Sequence, residues 1–185
     1  MITFTLLPWS VQAALIALVL AAAAYDVRYR RIPNWLNMTG ILAGIGLNAV
    51  VGAHVGGFAF ALKGLALGFG FYLALYALRA MGAGDVKLMG AVGAMVGWQN
   101  WLGIMLLTAI MGGVAAVALA ARRKRLGSTF WNMCFILGEA KKLRPAYLGR
   151  QELDVKNSKS LGLPHGAVIA VASIFFLVIG PIVTR

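Results

Sequence analysis

Acidic residues are scarce in this chain. It has five Asp and Glu in 185 residues against seventeen Lys and Arg, a formal net charge of +12. Cysteine is scarcer still, with Cys134 alone, and there are two histidines, His54 and His165. One cysteine excludes an internal disulfide framework. Two histidines far apart in sequence, with that single thiol, fall short of the ligand set of an ordinary zinc site. No metal and no other cofactor is expected. Apolar residues take the place of charge: the hydrophobic fraction is 61% and the mean hydropathy +0.85, against roughly 45–50% apolar content in soluble domains. Such a surface must face something other than water. The composition points to an integral membrane protein forming a single domain over residues 1–185.

Six apolar segments, at about 10–25, 36–53, 57–78, 86–98, 101–121 and 164–183, are long enough to cross or nearly cross a bilayer as helices. The expected fold is therefore an all-α membrane protein with six transmembrane helices. Residues 9–24 have the apolar run of a signal peptide, but no Lys or Arg precedes them, so they read as a retained first span. The fourth segment is short. The Gly-Ala-Gly before it is expected at membrane depth, where irregular backbone needs protein or a wet cavity beside it.

The basic residues set the orientation. Arg28, Arg30 and Arg31 follow the first span, Arg79 and Lys87 flank the start of the fourth, and ten more Lys and Arg lie between Arg122 and Ser160. By the positive-inside rule these three loops are cytoplasmic and both termini lie outside. The loop at about 122–160 is then a basic cytoplasmic segment, with an amphipathic stretch suited to lying on the membrane surface. The charge reads as a topology signal and a contact for anionic lipid, not as a nucleic-acid surface. Glycines four apart, Gly40 and Gly44, Gly64 and Gly68, Gly93 and Gly97, read as close helix packing. Lys63 and His54 read as interfacial side chains.

Three of the five acids, Glu139, Glu152 and Asp154, sit in the polar stretch. The other two, Asp26 and Asp85, border apolar spans. Each has a plain explanation: Asp85 as a helix N-cap, and Asp26 as an exposed end-of-helix residue paired with Arg30 one turn on. Together they weaken those explanations, because both fall on the same expected membrane face and an intramembrane acid is functional by default. Two carboxylates sharing a site cannot both ionise. The protonated one polarises a scissile carbonyl while the ionised one takes a proton from water, which is aspartyl proteolysis. Gly82 and Gly84 of "GAGD" would let a substrate backbone come close, and Lys87 would help hold Asp85 ionised. Pro33 and Asn34 read as the start of the second helix. The alternative is an ion- or proton-coupled transporter using the pair as a relay, although no internal repeat of the kind that marks that class is found. A catalytically silent assembly subunit is a third reading, and loss of either aspartate would mark it.

The stretches "DVRYRRIPNWLN", Asp26 to Asn37, and "GAGDVKLMGAVG", Gly82 to Gly93, resemble the two signature regions of the prepilin peptidases, a family of GxGD membrane aspartyl proteases. "LPHGAVIAVAS", Leu163 to Ser173, is similar to the family's last-helix motif, with His165 where an aromatic is frequent. The resemblance implies Asp26 and Asp85 as the catalytic pair, with Gly82, Gly84, Lys87, Pro33 and Asn34 as motif residues around them. Large members carry paired Cys-x-x-Cys motifs and an N-methyltransferase activity. This chain has neither and looks like the short form that serves the Flp, or tight-adherence, pilus. That form implies prepilin and pseudopilin substrates, whose basic leader is cut after a Gly at the cytoplasmic face of the bacterial inner membrane, with pilus assembly machinery as the partner.

Overall fold

The long apolar runs become helices, and in the first three the buried residues recur mostly three or four positions apart. The computed structural model describes residues 6–51, 57–77, 81–122 and 164–183. His54, Arg79, Cys134 and nearly all of the basic loop expected at 122–160, with its amphipathic stretch, lie outside the described residues. Helix α1 spans Trp9–Tyr29, α2 Asn34–Val51, α3 Gly57–Ala77, α4 Ala83–Arg122 and α5 His165–Val183. Among the described residues all regular structure is helical.

In α1 the buried set is Val11, Leu15, Leu18, Val19, Ala22 and Asp26, a single stripe at helical spacing. In α3 it is Phe60, Ala61, Gly64, Gly68 and Tyr72. The opposite faces stay apolar and exposed: Leu42 and Val178 are each 64% exposed and Val114 66%. Helices that are apolar on both faces suit a lipid surround. Three of them, α1, α3 and α4, are long and apolar enough to cross a membrane, and α5 contributes a shorter apolar stretch, His165–Gly180. The protein is a multi-pass membrane protein.

Among the described residues five helical elements stand where six were expected, because the fourth and fifth apolar segments follow one another in α4 with a single non-helical residue between them. The short Trp-Gln-Asn connection between those two segments, residues 98–100, is helical. The break is one residue, Gly97, at φ 75° and ψ 171°, a conformation that L side chains avoid and glycine adopts readily. The chain turns back there. Twelve residues of straight helix would separate Trp101 from Met89 by about 18 Å, yet the Trp101 indole Nε1 donates to the Met89 carbonyl at 3.1 Å. The Phe60 ring occupies the space where a Cβ on Gly97 would sit. The arm before Gly97 is buried almost continuously from Val86 to Val96 and forms the centre of the bundle.

Two devices hold that centre. The backbones of α3 and α4 touch at Gly64 and Gly93, where a Cβ on either would overlap the other's carbonyl group. At the turn, the buried Asn48 amide donates to the carbonyls of Gly44 at 2.9 Å, Ala94 at 3.0 Å and Met95 at 3.0 Å. The last two belong to the final turn before the break, where a helix runs out of its own amide partners. Helix α5 packs against α1 and α4. It brings its first residues to the end of the bundle opposite Gly97.

Candidate active site

Asp26 lies in the last turn of α1. That helix ends at Arg30, which takes the left-handed conformation at φ 53° and returns its backbone N–H to the Asp26 carbonyl at 2.9 Å. After three intervening residues, Arg31 to Pro33, α2 begins, with the Asn37 N–H donating to the carbonyl of Pro33 at 3.4 Å. The plain explanation of Asp26 as an exposed end-of-helix residue does not fit the fold: the residue is only 8% exposed. Its carboxylate Oδ2 accepts a hydrogen bond from the backbone N–H of Gly166, in the first turn of α5, at 2.8 Å.

Asp85 lies in the first turn of α4, which starts at Ala83, so the helix takes in the Ala-Gly that the sequence placed before it. Its N–H donates to the Gly82 carbonyl at 3.1 Å, and the Gly82 backbone amide acts back on its carboxyl. Asp85 is thus a first-turn acid reaching back to the cap position, a relative of the capping box, and is not the N-cap itself. The negative charge of Asp26 acts on the Asp85 carboxyl. The fold brings together two acids that lie far apart in the sequence.

Ile32 is wedged between their supports. A Cβ on Gly84 would lie 3.3 Å from the Ile32 Cβ, and one on Gly166 would lie 3.1 Å from its Cδ1. The Ile-Pro-Asn loop, the turn before Asp85 and the start of α5 therefore meet on one apolar side chain. The start of α2 ties the loop to α4 twice. Asn37 Nδ2 donates to the Gly84 carbonyl at 3.4 Å, and Lys87 Nζ donates to Asn34 Oδ1 at 2.8 Å. Lys87 is thus anchored on Asn34. Because the bond is exposed, Lys87→Met and Asn34→Ala are each expected to lower stability by about 1 kcal/mol or less. The double variant should be no worse than either single, since both remove the same bond. Thermal melts of the four proteins in detergent check this, and additive losses would contradict it.

Ile32, Asn37, Tyr72 and Gly166 were not singled out from the sequence. Tyr72 of α3 is buried, packs edge-on to Trp101 with ring centroids 6.1 Å apart, and interacts electrostatically with Asp85. Nothing in the apolar run around Tyr72 marks it, whereas Ile32 and Gly166 both lie inside the quoted motif stretches. Among the described residues, no three Cys, His, Asp or Glu side chains gather as a metal site would require.

This arrangement, two helix-borne aspartates meeting at one end of a glycine-packed bundle, agrees with what known proteins reveal. The type IV leader peptidase family model matches residues 13–117, over half of the chain, and the chain belongs to that family. The matched segment contains both aspartates and ends before α5. A prepilin leader peptidase/N-methyltransferase of Myxococcus xanthus (strain DK1622) is 31% identical over 132 residues, covering 68% of this chain and 38% of that protein. The chain therefore spans well under half the length of that relative. No solved structure matches it.

Proposed function

We propose that the protein is a prepilin leader peptidase of the aspartyl, GxGD kind, with Asp26 and Asp85 as its catalytic pair. The observation that carries this reading is a buried aspartate, Asp26, acting electrostatically on a second, Asp85, inside the segment that the family model matches. Two carboxylates so placed share a proton between them. One takes a proton from water as the water oxygen bonds to the scissile carbonyl carbon, and the other passes its proton to the carbonyl oxygen. The gem-diol then collapses: its C–N bond breaks, the first carboxyl protonates the leaving nitrogen, and a diol hydroxyl returns a proton to the second. The groups that did chemistry end as they began.

The substrates are prepilins and pseudopilins of the Flp type, cut after a Gly at the end of a basic leader. The site lies at the cytoplasmic face of the bacterial inner membrane, on the side of Arg28, Arg30, Arg31 and Lys87. Anionic lipid, held by these and the basic loop at 122–160, and the pilus assembly machinery are its partners. Co-expression of the chain with a small prepilin, in a host lacking such a peptidase, tests the reading: a shortened pilin is expected, and an unprocessed precursor beside well-expressed enzyme would contradict it. Chelation is expected to leave cleavage by the purified protein within about twofold, because carboxylate pairs need no metal to activate water. The mature pilin should carry a free, unmethylated N-terminus, and a methylated product made by this chain alone would overturn that assignment.

A further inference from the structure

The two aspartates are held differently. Asp26 ends α1, and its carboxylate is met by the amide of a different helix, Gly166 N–H at 2.8 Å, in a buried setting. Among the described residues, the backbone group that meets the Asp85 carboxyl belongs to its own turn, at Gly82. The donor on Asp26 belongs to the first turn of α5, where amide groups have no helical partner and the helix end carries partial positive charge. A hydrogen bond from such an amide favours the ionised form of the carboxyl that accepts it. Space is fitted to this contact as well. A Cβ at position 166 would lie 3.0 Å from Asp26 Oδ2 and 3.1 Å from Asp26 Cβ, tighter than ordinary contact. A side chain at 166 would make Asp26 or Ile32 give by a few tenths of an ångström, so glycine lets the α5 backbone sit against the carboxylate without displacing it.

We infer that Gly166 is a positioning residue for the reaction, whose backbone N–H fixes Asp26 as the charged, proton-accepting half of the pair and leaves Asp85 to carry the shared proton. This rests on the peptidase reading above and adds to it a division of labour. Asp26 then takes the proton from water, and Asp85 gives its proton to the scissile carbonyl oxygen. The contact is made by a helix outside the segment that the family model matches, so α5 is part of the catalytic apparatus and not only a neighbour in the bundle. Gly166 touches Asp26 and acts through it.

The test removes the donor with little change of shape. Cell-free synthesis into lipid nanodiscs with glycolic acid in place of Gly166 turns one amide into an ester of nearly the same shape. A control ester at Val168, whose N–H makes only a helix-turn bond to the Pro164 carbonyl at 3.4 Å, carries the same chemical insult away from Asp26. For the ester at 166, kcat for a synthetic prepilin is expected to fall roughly ten- to a hundredfold, the range of a hydrogen bond to a charged group, with KM within about twofold. The acid limb of its rate–pH profile should also be displaced, by roughly one pH unit. The control should show neither change. The inference is overturned if the ester at 166 keeps its kcat, if it loses kcat with an unmoved acid limb, or if the two esters lose activity alike. A wild-type protein that fails to cleave at all would overturn the peptidase reading itself, a result distinguishable from any of these.

Discussion

Asp85→Asn is expected to lower prepilin cleavage by about a thousandfold or more while the protein still folds and inserts. The competing account is that Asp85 is only a helix-start residue, and the structure gives that account substance, since the carboxyl reaches back to the Gly82 amide. An asparagine there still accepts that hydrogen bond, and the lost charge at a helix start is typically worth 0.3–1 kcal/mol. A structural role therefore forecasts a small stability change and near-normal cleavage. A catalytic role forecasts the reverse, because the amide has no proton to give or take. Asp26→Asn should match it, and the double variant should be little worse than either single, as is found when residues act as one unit. Activities would be measured on purified protein whose melting temperature and monodispersity match wild type. A folded Asp85→Asn protein that cleaves at near wild-type rate would sink the assignment of Asp85 to the catalytic pair.

The second large effect lies in the packing of α3 on α4. Gly64→Val is expected to prevent normal assembly of the bundle, because even its Cβ would overlap the Gly93 carbonyl group. Backbone cannot swing aside as a side chain can, so the helices must separate. A loss of about 3 kcal/mol or more follows from overpacking of this kind, equivalent to roughly 10 °C in melting temperature for a chain of this size. Gly70→Val, on the same helix, supplies the control, since a Cβ there meets nothing within 4 Å. It should express and melt like wild type. Equal melting of the two variants would mean that the close approach of α3 and α4 is not what holds the bundle.

The two aspartates were legible because acids are so few that a carboxylate beside an apolar run stands out, and because the residues around each form a recognisable pattern. The helices were legible from apolar length. Their ends were less so: α1 runs on to Tyr29, beyond its apolar run, because the left-handed Arg30 closes it. The turn inside α4 was misplaced for a physical reason. Residues 98–100, Trp-Gln-Asn, fell between two apolar segments and Gly97 looked like a packing glycine paired with Gly93. In the fold Gly93 does pack, while Gly97 makes the turn and residues 98–100 continue the helix. A glycine four residues from another reads the same in sequence whether it serves a close contact or a positive φ. The burial of Asp26 was hidden too, since it depends on α5, far along the chain, and the group that meets it is a backbone amide for which a sequence has no letter.

The central claim, that this aspartate pair hydrolyses the leader of a prepilin, is tested most directly by intact-mass spectrometry of a small Flp-type prepilin incubated with the purified protein in lipid nanodiscs. Two products are expected, cut after the leader Gly, with masses that sum to the precursor plus one water, and neither should form with the Asp26→Asn or Asp85→Asn protein. An unchanged precursor in the presence of folded wild-type protein, or the same products from either variant at wild-type yield, would contradict it.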